Sequence, residues 1–103
     1  MTFGNDDDLN QPSKVSLIVK EGTNGRRAMA FLAANDGHAY TRNEIRDGTG
    51  ISDGSIGPVL TRLADDGLLH RHGGQWTLAE EGIAALESEG LLDELREEWN
   101  AGW

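Results

Sequence analysis

The sequence predicts a mainly α-helical domain that carries one small β-hairpin. Three observations predict it. Ile56, Val59, Leu60 and Leu63 recur at i, i+3, i+4 and i+7, the one-sided apolar spacing of a helix packed on a core. Thr41 followed by Glu44 writes a capping box, in which each residue satisfies a backbone N–H of the other at a helix start. "LLHRH" and "QWTL" flank Gly73-Gly74, and two adjacent glycines readily adopt the positive φ that a tight hairpin turn requires. The chain has 103 residues, enough for one domain around a single core.

Taken in order, residues 1–13 are polar, with an Asp6-Asp7-Asp8 run and Pro12, and read as a disordered, solvated arm. "KVSLIVK" (Lys14 to Lys20) fits two patterns: Val15, Leu17 and Val19 alternate as in a strand, whereas Val15, Ile18 and Val19 share a helix face. Both stay open, and Gly22 closes the segment. Thr23 or Asn24 is an N-cap for the next helix, and Gly37 suits its C-terminal stop. Between them Ala28, Met29, Phe31, Leu32 and Ala33 are apolar nearly all round, which marks a central helix. The short helix begun by Thr41 is anchored by Ile45 alone and is expected to end at Gly48.

Ile51 then lies in a turn, and Ser52 opens a helix spanning 53–66 that Asp65-Asp66-Gly67 stops. Pro58 pulls that start later. It lacks an N–H and is best tolerated in a first turn, which favours a start near Gly54 or Ser55 with Ser55 as N-cap. Trp76 reads as a core aromatic beneath the hairpin. "LAEEGIAALESEGLLDELREEW" returns to helix along an Ile83, Leu86, Leu92, Leu95 and Trp99 stripe, with Gly90 bending or breaking it. The organisation is therefore an arm (1–13), a compact domain (14–82) and a C-terminal helix (83–103).

Charge narrows the function. Asp plus Glu number 18 against 9 Lys plus Arg, a formal net charge of −9. The acid sits at the ends: residues 80–103 hold eight acids and one base, whereas Lys20 to His72 holds seven of each. Only two of the nine bases are Lys. Such an acid-rich, Lys-poor composition resembles that of proteins from salt-loving archaea, whose carboxylates keep the surface hydrated in molar salt. No apolar run is long enough to span a bilayer, and the N-terminus has no signal-peptide pattern, so a cytoplasmic protein without membrane contact is expected. The absence of cysteine removes disulfides and thiol nucleophiles. No nucleophile elbow, phosphate loop or metalloprotease motif is present, so neither an enzyme nor a cofactor is expected. His70 and His72 share a strand face, but two imidazoles make an incomplete metal site.

The predicted order is helix, short helix, tight turn at Thr49-Gly50, helix, glycine-tipped hairpin, helix. On "YTRNEIRDGTGISDGSIGPVLTRLADDGLLHRHGGQWTL" the chain resembles a winged helix-turn-helix domain of the MarR-like transcription regulators, in particular small archaeal members; the likeness runs from Thr23 to about Gly82. The resemblance implies a regulator that binds double-stranded DNA, with the N-terminal half of helix 53–66 in the major groove and the wing (70–76) on the flanking backbone or minor groove. Gly54, Ser55, Gly57, Pro58, Thr61 and Arg62 are then the outward contact positions, with Arg62 able to fork onto guanine or clamp a phosphate. Thr41 and Arg42 offer free N–H groups and a cation to a phosphate, with Arg46 one turn on. Arg71, His72, Gly73 and Gly74 form the wing tip. Arg26 and Arg27 are expected as solvated surface.

A homodimer is expected as well. Leu91, Leu92, Leu95 and Trp99 form a stripe that a small domain has little core to absorb, and a second copy would cover it. Such a dimer would set two recognition helices roughly 34–36 Å apart. Folding of this helix back onto the first one is the competing arrangement. In a second functional class, a winged-helix protein-interaction module or antitoxin-like protein would use the acidic C-terminal helix to hold a partner.

Overall fold

The computed structural model describes residues 14–35 and 38–102. They form a mainly helical protein with one small antiparallel sheet: α1 (Lys14–Ile18), α2 (Asn24–Ala34), β1 (Tyr40–Thr41), α3 (Arg42–Thr49), α4 (Asp53–Asp65), β2 (Leu69–His72), β3 (Gln75–Leu78), α5 (Glu80–Ser88) and α6 (Leu91–Asn100). The arm expected over 1–13 and the stop expected at Gly37 lie outside the described residues. The segment with two readings, Lys14 to Lys20, is helical as far as Ile18 and buries Val19 just beyond.

Helix α2 is the centre of the molecule, as its all-round apolar sequence predicts. Thr23 caps it, its hydroxyl accepting from the Arg26 N–H at 3.2 Å. Every residue from Ala28 to Ala33 is buried. α6, α4 and α3 pack around it, α6 most extensively. Burying each large side chain here, Met29, Phe31 and Leu32, contributes about 1.5–3 kcal/mol. At its far end Asn35 closes α2 with a 2.7 Å side-chain bond to the Phe31 carbonyl, and the Arg96 Nε of α6 donates to the Ala33 carbonyl at 3.0 Å.

Arg26 departs from its expected place on the solvated surface. Its side chain is 5% exposed and forms a fork with Glu98 of α6, through Nε at 3.0 Å and through Nη2. Glu94 adds a second carboxylate at 3.3 Å, and Nη1 donates to the Val19 carbonyl at 2.9 Å. The guanidinium thus ties α6 and the end of α1 to the first turn of α2. Among the described residues, the one cluster of three possible metal ligands is Glu21, Glu94 and Glu98. Arg26 already pairs with two of them.

The sheet has three strands in the order β1-β3-β2, one more than the predicted hairpin. The hairpin itself forms as expected, with Gly73 and Gly74 both at positive φ (59° and 82°). Tyr40 pairs with Trp76 and Thr41 with Gln75. β1 escaped prediction because two residues carry no periodicity. Trp76 is buried beneath the wing, as expected.

Two helix boundaries need correction. α3 runs through Gly48 to Thr49, and Gly50, left-handed at φ 76°, ends it. Gly48 lies inside the helix, where its bare backbone faces the Phe31 ring. α4 starts at Asp53 after Ser52, not near Gly54 or Ser55, so Pro58 is its sixth residue. The C-terminal helix breaks at Gly90 into α5 and α6.

The stripe expected to seek a second copy is largely covered by the chain itself. Leu92 and Leu95 are buried, and Trp99 stands edge-on to Phe31 at 5.2 Å between centroids. Only Leu91 and Trp99 keep partial exposure. α6 folds back onto α2, so the four residues do not require a dimer seam.

The Arg26 fork holds the Glu98 carboxyl below the usual glutamate range. A depressed carboxyl contributes stability above its unfolded value, near 4.3, and loses it as pH falls through the lower folded value. Glu98→Gln should therefore be less stable than the parent in denaturant at pH 7, with the gap closing in acid below about pH 4. A gap that stays constant through that window would contradict the role assigned to the pair.

Candidate nucleic-acid interface

The α3–turn–α4 unit is fixed by short-range bonds that its sequence encodes. The capping box is complete: the Glu44 N–H donates to the Thr41 hydroxyl at 3.2 Å, and the Thr41 N–H donates to the Glu44 carboxylate at 2.8 Å. At the other end of α3 the buried Thr49 hydroxyl donates to the Ile45 carbonyl at 2.7 Å and accepts from the Ile51 N–H at 3.2 Å. Ile45 and Ile51 are buried on either side of this knot. The turn therefore holds α4 at a set angle to α3.

α4 buries Ile56, Leu60 and Leu63, with Val59 half-buried beside them. The same helix exposes Gly54, Pro58, Thr61 and Arg62, whereas Ser55 and Gly57 are partly covered. Ser52 gives no side-chain cap to the backbone; its hydroxyl donates instead to the Ser55 hydroxyl at 3.0 Å. Pro58 removes the N–H that would reach the Gly54 carbonyl in a regular ladder. The start of α4 is thus bare of side chains at Gly54 and Gly57 and incompletely bonded.

Asp53, the first residue of α4, joins it to α3. Its Oδ1 accepts from Arg42 Nη1 at 3.2 Å and from Arg46 Nη1 at 2.8 Å, and its carbonyl accepts from Arg42 Nη2 at 2.8 Å. Hydrogen bonds from Arg46 and then Arg42 hold the Asp53 carboxyl below its ordinary range. Arg46 also reaches Asp47 at 3.0 Å. Both expected phosphate-facing cations are therefore present at the surface, each already engaged with a carboxylate.

The wing joins this surface through β1. Thr41 is opposite Gln75, and Gln75 is opposite His72, so one cross-strand row runs Thr41, Gln75, His72. Two strand spacings, about 10 Å, separate its ends. His70 and His72 lie on that face with parallel rings 6.2 Å apart. Arg71 points to the other face, where its guanidinium sits 5.1 Å over the Trp76 ring.

The structure brings Thr41, Arg42, Arg46, Gly54, Gly57, His72, Gly73 and Gly74 into neighbouring positions. Arg62 stands apart, about 13.5 Å along α4 from its start at Asp53. It makes no ion pair among the described residues and borders a hollow of about 240 Å³ with Leu17, Thr23, Asn24 and Val59. Asp53 and Gln75 are the residues that sequence reasoning missed. An acid in a first helical turn is an ordinary capping signal, and only the folded turn shows which cations it meets. The chain matches no protein-family model, and no curated protein is significantly similar to it.

If the broken ladder at Pro58 is a cost carried by the fold, Pro58→Ala should restore a donor to the Gly54 carbonyl. The variant should gain about 1–3 kcal/mol in chemical denaturation. A loss of stability would show that proline favours this start instead.

Proposed function

We propose that the protein is a DNA-binding regulator with a winged helix-turn-helix architecture, reading duplex DNA with α4 and its wing. The observation that carries this reading is the continuity of the surface. β1 sets the wing beside the first turn of α3, and Asp53 sets that turn against the start of α4. Bare backbone, the Thr41 hydroxyl, Arg42 and Arg46 therefore share one side of the molecule. Glycines at the start of α4 allow close approach to a groove, and the helix dipole makes that end favourable to an anion. Arg62 supplies a cation that no carboxylate of the described residues occupies, at a position suited to guanine or phosphate.

Net charge of −9 opposes long-range attraction to DNA. In about 1 M salt the Debye length falls to roughly 3 Å, and close contacts dominate over net charge. Acid is also segregated along the chain: eight carboxylates of residues 80–103 belong to α5, α6 and the turn between them, and of these Glu80 and Glu81 border the wing beside His70 and Thr77. No enzymatic activity or cofactor belongs to this reading. A second copy is not needed for it, since α6 is covered within the chain.

Duplex fragments selected from genomic DNA in high salt provide the test. Arg42→Ala, Arg62→Ala and Arg71→Ala should each weaken binding by about 1–3 kcal/mol while circular dichroism stays unchanged. Arg62→Ala should also relax the sequence preference. Unchanged binding in all three variants would favour a protein-interaction module that uses the acidic helices.

A further inference from the structure

We infer that Arg42 and Arg46 form a seat for one backbone phosphate and that Asp53 occupies it as an internal competitor, limiting backbone affinity. This rests on the DNA-binding reading and adds a regulating residue to it. The two guanidinium groups come from successive turns of α3 and converge on a single oxygen, Asp53 Oδ1, at 3.2 and 2.8 Å. A phosphate diester is the same kind of acceptor, an oxyanion that arginine forks hold at hydrogen-bond distance. The Asp53 side chain is 70% exposed, so its pairs lie open to solvent and exchange readily. Asp53 is also the first residue of a 13-residue helix, where N–H groups and the helix dipole favour an anion of either kind.

Arg42 and Arg46 face two carboxylates, Asp53 and the Asp47 that Arg46 Nε holds at 3.0 Å, so the cluster is neutral until Asp53 is displaced. A duplex docking on α4 must share the seat with Asp53 or displace it, and the carboxylate repels the incoming phosphate until it moves. The effect falls on every sequence alike, because phosphates carry no sequence information. Asp53 therefore weakens non-specific binding and leaves a larger share of discrimination to the residues that face base edges.

The test compares the full chain with Asp53→Asn, with Asp53→Asn/Arg42→Ala/Arg46→Ala and with Glu87→Gln, a remote variant carrying the same charge change. Binding of a labelled random-sequence duplex is followed by fluorescence anisotropy across a KCl series, with circular dichroism as the check on folding. Asp53→Asn should bind several-fold more tightly than the parent, and its log–log salt slope should steepen by about 0.9 for each further phosphate neutralised. The triple variant should lose that gain, and Glu87→Gln should show little of it. Equal affinity and slope in the parent and Asp53→Asn would overturn the inference. So would weaker binding by a folded Asp53→Asn, which would make Asp53 a positioning residue for the arginines. A gain retained by the triple variant, or matched by Glu87→Gln, would assign the effect to net charge and overturn it too. Flat titrations of the parent and every variant would remove the DNA-binding reading itself, an outcome distinct from the others.

Discussion

The enclosure of α2 is the constraint on which the other elements depend. A helix that is apolar on nearly every side must be covered on nearly every side, and here α3, α4 and α6 do the covering. Its angular position sets theirs, because each presents one apolar stripe to it. Arg26 is the one charged residue among those buried on this helix. Placed at the first turn, it converts the acid of α6 from a source of repulsion into a fastening. Removing its partner would leave a nearly buried cation uncompensated, which is why such a pair is costly to break even where its net stabilisation is small.

The same chemistry has a different consequence at the surface. Arg42 and Arg46 also bond to a carboxylate, but Asp53 is open to water and its pairing is exchangeable. Burial decides which arginine is structural and which is available. The distribution of charge follows this division. Acid is concentrated on α5 and α6, with Arg26 neutralising part of it from within, and the mixed segment between Lys20 and His72, with the uncharged Gly73, Gly74 and Gln75 that follow it, contains the proposed contact surface.

Much of the local structure was legible because its causes are local. The Thr41–Glu44 box, the apolar spacing of Ile56, Leu60 and Leu63, and the Gly73-Gly74 turn each depend on residues within two helical turns or one hairpin. Features that depend on distant partners were not legible. β1 exists because Tyr40 and Thr41 meet Trp76 and Gln75, some 35 residues away in sequence. Arg26 reads as a surface residue until α6 arrives with Glu98. Leu92 and Leu95 read as a dimer seam until α2 is seen beneath them. Pro58 misled for another reason: it disfavours an early helix start, yet Ser52 and the packing of Ile56 and Leu60 place the start at Asp53 regardless. The candidate contact residues were named from sequence, but the acid that holds two of them was not.

The central claim is that the wing, the first turn of α3 and the start of α4 form one surface for duplex DNA. Backbone amide shift mapping by NMR tests it most directly, with duplex titrated into the labelled protein at high salt. The account predicts perturbations concentrated in Thr41 to Arg46, Asp53 to Arg62 and Arg71 to Gly74, with α5 and α6 little changed. Perturbations centred on α5 and α6, or none with any duplex, would contradict it.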